Sequence, residues 1–179
     1  AMKIVVKVGT STLAHATGRL NIRHVEELVK VLSDLKNAGH QIILVSSGAI
    51  GIGTKKLRLG ERPTELRMKQ AAAAVGQCRM MHIYDKLFAE YNRTVAQILL
   101  TGEDVESPVR SEHLHNTFEA LLELGVIPVV NENDSVSSAE IETGQCKVLG
   151  DNDTLSAIVA RLCGAGLLVL FSDIDGLYD

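Results

Sequence analysis

The sequence is short of aromatic residues and of any feature that would place it outside ordinary globular proteins. Aromatic side chains make up 3% of the 179 residues, and Trp is absent. The core must therefore be aliphatic and alanine-rich, which suits helices layered on a sheet. The three cysteines, Cys78, Cys146 and Cys163, are odd in number and widely spaced. That excludes a CxxC metal or redox site and argues against a disulfide framework, leaving reduced thiols in a cytoplasmic protein. No apolar run approaches the ~18 residues of a membrane span. The start, Ala1-Met2-Lys3-Ile4, leads straight into a strand pattern without a signal-peptide layout, and Ala1 reads as an added residue. No basic run occurs, and 18 basic against 22 acidic residues give a net charge of -4, so no nucleic-acid partner is expected. Neither GxxxxGK[ST] nor GxGxxG is present, which removes a Walker A loop and a dinucleotide fingerprint.

What is present is an ordinary balance of 46% hydrophobic and 22% charged residues, in a length that suits one domain. Residues 3–8 (KIVVKV) read as a strand ending at Gly9-Thr10-Ser11. Asn21 caps a helix to about residue 38, with Val25, Leu28, Val29, Leu32 and Leu35 at helical spacing. Residues 41–46 (QIILVS) form a nearly all-apolar strand, as a buried parallel strand requires, and run into Ser47-Gly48-Ala49. Residues 64–91 are helical; the run Ala71 to Ala74 and Gly76 point to close helix packing, with a break at the glycine as the further option. Strands at 94–100, 127–130 and 167–171 alternate with helices at 112–124 and 151–163, and residues 135–150 read as a hairpin or flap. This β-α alternation predicts an α/β fold: a mostly parallel sheet with right-handed crossovers and helices on both faces.

In such sheets ligands bind outside the carboxyl ends of the strands. Lys7 lies late in an apolar strand, where an unpaired ammonium is costly, and a glycine turn follows it. It either snorkels to the surface or neutralises a phosphate. Ser47-Gly48-Ala49 is either a plain strand-to-helix turn or the N-terminal anion site of a helix. Asn131-Glu132-Asn133-Asp134 follows an apolar strand with more polar groups than a turn needs, and can hold an ammonium and a carboxylate. Asp151-Asn152-Asp153 exceeds a single helix cap, and Asp153 can orient a lysine. His113 and His115 point in different directions on a helix and read as surface residues.

Together these strand ends resemble the amino-acid kinase family. The similarity runs from VVKVGTS at Val5 through SSGAIGIG at Ser46, AAVGQ at Ala73, NENDSV at Asn131 and GDNDTLSA at Gly150 to SDIDGLY at Ser172. It is strongest to the members that act on glutamate. The resemblance implies an αβα sandwich and ATP-dependent phosphorylation of the L-glutamate side-chain carboxylate to glutamyl 5-phosphate, the first step of proline biosynthesis. It also implies Mg²⁺ with the ATP, proline as feedback inhibitor, a homo-oligomer and a cytoplasmic location.

By position, Lys7 matches the lysine at the transferred phosphoryl group, and Asp153 matches the aspartate that organises the catalytic lysines. Ser47, Asp134 and Asn152 match glutamate-binding residues, and Gly48, Ala49, Asn131 and Asp151 line the same pocket. Gly9 and Lys7 face the nucleotide with Ser172 and Asp173, Ser standing where Thr is more usual. No protein-only metal site is implied. Members of the family continue beyond the position of Asp179 with a glycine-rich loop, a second catalytic lysine and, in many, a PUA domain. The chain is therefore expected to be the C-terminally incomplete, substrate-binding portion of the kinase domain, inactive by itself. Two alternatives stand beside this reading: a relative with another acceptor (acetylglutamate, carbamate, aspartate or UMP), and a non-catalytic module that binds glutamate or proline.

Overall fold

A computed structural model describes residues 1–137 and 152–171, with Thr10 and Asn152 described by backbone alone. The elements follow in the order β1 (Lys3–Val8), α1 (Thr10–Leu13), α2 (Ile22–Asn37), β2 (Gln41–Ser46), α3 (Ala49–Lys56), α4 (Leu66–Ala89), β3 (Val95–Leu100), α5 (Gly102–Glu106), α6 (Pro108–Glu123), β4 (Ile127–Glu132), α7 (Asn152–Cys163) and β5 (Leu167–Leu170). The strands form one five-stranded sheet in the order β3-β4-β2-β1-β5, and every pairing is parallel. All carboxyl ends therefore lie along one edge, which gathers the sequence-predicted strand ends on one side of the molecule.

Strand alternation sorts the core into two layers. Val6, Val8, Ile42, Leu44, Ile127 and Val129 pack against α2 and α4. Val5, Ile43, Val45, Ile98, Leu100 and Val130 pack against α6 and α7. Lys3 and Lys7 share the second face with Val5 and pin the two ends of α7. Lys3 Nζ donates to the Cys163 carbonyl at 2.7 Å and pairs with Glu119 at 2.6 Å, while Lys7 Nζ pairs with Asp153 at 2.8 Å. The lengths match, since four strand residues cover about 13 Å and the ten helical steps between Asp153 and Cys163 about 15 Å.

Several elements differ from the sequence expectation. α4 runs unbroken through Gly76, so the optional break is absent, while the close helix packing read for this glycine is present. A Cβ there would lie 1.6 Å from the Ala49 carbonyl oxygen, and one at Gly53 would lie 1.7 Å from that of Ala72. α6 begins at Pro108, earlier than read, with Ser107 as its cap. The short α5 is set by a capping box between Thr101 and Asp104. β4 extends to Glu132, so Asn131 and Glu132 are buried strand residues and not loop. Asp151, Ser172, Asp173, Cys146 and most of the stretch read as a flap lie outside the described residues. The edge strand β5 exposes Leu167, which with Val169 and Phe171 lines an apolar groove of about 730 Å³ beside α2.

The glycine contacts predict a contrast in denaturant melts. Gly76→Ala must push two backbones apart and is expected to lose at least about 2 kcal/mol. Gly51→Ala, where an added Cβ meets nothing within 4 Å, is expected to gain about 0.5–1 kcal/mol from the better helix former. Equal stability of the two variants would contradict the packing.

Candidate active site

The site is built from the ends of β1, β2 and β4 and the start of α7. Lys7 is held away from water, with 14% of its side chain exposed, against 48% for its partner Asp153. The position follows from the pattern: the strand needs an apolar residue at each inward place, and only a carboxylate on the first turn of α7 makes an ammonium tolerable there. Gly9 follows, and a Cβ on it would sit 3.5 Å from Lys7 Nζ, so the absence of a side chain leaves open the approach to the ammonium.

At the next strand end, the Ser47 N–H and hydroxyl both donate to the Val8 carbonyl, at 3.2 and 3.3 Å. This ties the β2 turn to the end of β1. Gly48 then adopts φ +100°, a left-handed value suited to glycine, and caps α3 without any side-chain hydrogen bond. The first N–H groups of α3 carry the partial positive charge of a helix start. Behind the turn, the buried Ser46 hydroxyl bonds the Tyr84 hydroxyl at 2.8 Å, fixing β2 to α4.

At the end of β4, Asn131 is 2% exposed. Its Nδ2 donates to Gln77 Oε1 at 3.1 Å and its Oδ1 accepts from the Glu132 N–H at 2.8 Å. Ala49, Gln77, Glu132, Asn133, Asp134 and Ser135 help line a recess of about 440 Å³ between α4 and the ends of β3 and β4. Burial raises the Asp134 carboxyl above its ordinary value, with Arg62 opposing the rise. Burial, and then the nearby Asp134 charge, push Glu132 up to about 7.

The structure thus brings Lys7 directly onto Asp153, joins Ser47 to the end of β1, and sets Ala49 and Asp134 on one recess. Lys7 and Ser47 do not line that recess. Asn152 opens α7, and Asp151, Ser172 and Asp173 are outside the described residues. Gln77 was not singled out from the sequence, and Glu132 only as part of the Asn131–Asp134 stretch. Gln77 stands in AAVGQ, where the small residues draw attention to packing and hide the amide. Of the cysteines, Cys163 has its thiol pushed up to about 12, mainly by burial, which makes it a poor nucleophile.

A parallel sheet with a lysine, a glycine turn and an open helix start at adjacent carboxyl ends defines an anion-handling α/β domain. The model of the amino acid kinase family matches residues 2–179, and the chain belongs to that family. It is 53% identical over 177 residues to a glutamate 5-kinase of Clostridium perfringens, covering 99% of this chain and 65% of the relative. It is 57% identical over 175 residues to a glutamate 5-kinase of Clostridium tetani, covering 98% and 63%. The chain therefore spans somewhat under two thirds of the length of these relatives. The UMP kinase of Ureaplasma parvum shares the fold, with a TM-score of 0.64 at 12% identity over 99% of this chain and 72% of that one.

Glu132 sets a pH dependence of stability. Its folded pKa of about 7 lies above the ordinary 4.5, so the native state binds the extra proton between those values. Stability from this group is complete below about 4.5 and is lost as pH rises through 7. Glu132→Gln is expected to be more stable than wild type at pH 8, with the gap closing toward pH 5 in parallel melts. A gap that widens on acidification would contradict the assignment.

Proposed function

We propose that the full-length protein phosphorylates the side-chain carboxylate of L-glutamate with ATP, giving glutamyl 5-phosphate and ADP. The observation that carries this reading is the Lys7–Asp153 pair at the carboxyl edge of the sheet, beside the uncapped start of α3. The names of the relatives support the acceptor.

The chemistry asks for little covalent help. The carboxylate is already ionised at neutral pH, so no general base is needed. One of its oxygens forms a bond to the γ-phosphorus as the bridge to the β-phosphate breaks and ADP leaves. The difficulty is the approach of two anions, which positioned cations and N–H donors relieve. In this proposal Lys7 neutralises the transferred phosphoryl group, and Asp153 holds the ammonium in place. Ser47, Asp134 and Asn152 bind glutamate, with Gly48, Ala49, Asn131 and Asp151 lining its pocket. Gly9 leaves room for phosphate beside Lys7, and Ser172 and Asp173 face the nucleotide.

Among the described residues no cluster of three His, Cys, Asp or Glu side chains could hold a metal ion. Mg²⁺ in this reading is carried by the nucleotide phosphates. Among the same residues no helix is long and apolar enough to cross a membrane. Proline as inhibitor, self-assembly and a cytoplasmic location accompany the proposal as further expectations.

The test is ADP release by the full-length protein with each acceptor in turn. L-Glutamate is expected to support turnover, whereas turnover with UMP or carbamate and none with glutamate would refute the substrate. Lys7→Ala is expected to keep the fold, because Asp153 is half exposed and water can solvate it, and to lose at least about 100-fold in rate. Wild-type rates in that variant would remove the role given to Lys7.

A further inference from the structure

Helix α4 contributes no strand-end residue, yet one turn of it touches both halves of the proposed acceptor pocket. Gly76 packs against the Ala49 carbonyl at the start of α3. The next residue, Gln77, is 8% exposed and uses both ends of its amide. Its Oε1 accepts from Asn131 Nδ2, and its Nε2 donates to Gln97 Oε1 on the edge strand, both at 3.1 Å.

The direction of this chain is fixed by chemistry. The Glu132 backbone N–H can only donate, so the Asn131 oxygen must accept and its NH₂ must donate onward. Gln77 must then present oxygen to Asn131 and NH₂ to Gln97. Three side-chain amides and one backbone N–H are thereby aligned in a single sense, ending at the last peptide of β4. A buried amide chain of this kind holds its members rigidly when complete and is costly when broken.

We propose that Gln77 is a positioning residue for the acceptor. The sheet sets the ends of β2 and β4 side by side. With Gly76 seated on the start of α3, Gln77 braces the end of β4 at Asn131 against that helix start. It acts through Asn131 and does not itself touch the reacting atoms. The consequence is selective, since the acceptor depends on that brace and the Lys7 edge does not. The inference rests on the glutamate-kinase reading of these turns.

The experiment uses the full-length protein. Gln77→Met keeps the side-chain length and removes both hydrogen bonds, whereas Gln97→Met removes only the far one. Gln77→Met is expected to raise the KM for glutamate about tenfold while leaving the KM for ATP within about twofold. It is also expected to speed hydrogen exchange at the Glu132 amide, whose acceptor is no longer held. Gln97→Met is expected to change the glutamate KM less than about threefold. Unchanged glutamate KM with unchanged Glu132 exchange would overturn the proposal. So would a parallel rise in both KM values, the mark of general loosening. If Gln77→Met fails to fold, Gln77→Asn, one methylene shorter and still an amide, is read the same way. A wild-type protein that ignores glutamate sinks the functional reading alone, and the Glu132 exchange rate still decides the role of Gln77.

Discussion

The carboxyl edge of the sheet is organised around one awkward charge, the ammonium of Lys7 placed near the end of a buried strand. A lysine there is tolerable only with an anion held against it, and Asp153 supplies that anion from the first turn of α7. The pairing sets the position of α7 over the sheet. Lys3 repeats the device at the other end of the same helix through the Cys163 carbonyl. Two lysines on one strand thus hold the two ends of one helix, and the one at the carboxyl edge is the one proposed to meet a phosphate. The side chain that helps seat α7 is also the one proposed to give the site its positive charge.

A second constraint acts on the opposite face. Helices α3 and α4 approach so closely that Gly53 and Gly76 leave no room for a Cβ. This brings α4 against the start of α3 and places Gln77 where it can reach Asn131. β2 and β4 are paired neighbours, so the sheet itself brings their ends side by side. The packing of α4 behind them braces the start of α3 against the end of β4, through Gly76 and the buried Gln77–Asn131 amide bond.

Much of the frame was legible in the residues. The apolar runs of β1 and β2 announced parallel strands, and the β-α alternation put their ends on one edge, where Lys7, Ser47 and Asp134 are found. What escaped has physical causes. β4 continues through Asn131 and Glu132 because their polar groups are satisfied inside the sheet, which residue polarity cannot reveal. Gly76 was legible as a packing residue, but its partner at Ala49 was not, because that carbonyl lies far away in sequence. The starts of α5 and α6 rest on the local caps Thr101 and Ser107, which no long apolar pattern marks. Gln77 looked like an incidental polar residue at the end of a small-residue run, since its partners come from β3 and β4. The roles of Asp151, Ser172 and Asp173 stand on family resemblance, and that of Asn152 on resemblance and its place at the start of α7.

The central claim is that Lys7 and Asp153 act as one unit in phosphoryl transfer. A double-mutant cycle on the glutamate-dependent rate of the full-length protein tests it most directly, with Lys7→Ala, Asp153→Asn and the two combined. If Asp153 serves by holding Lys7, the combined variant is no slower than Lys7→Ala, within about a factor of two. Losses that multiply, each substitution imposing its full cost on the other, would contradict the account.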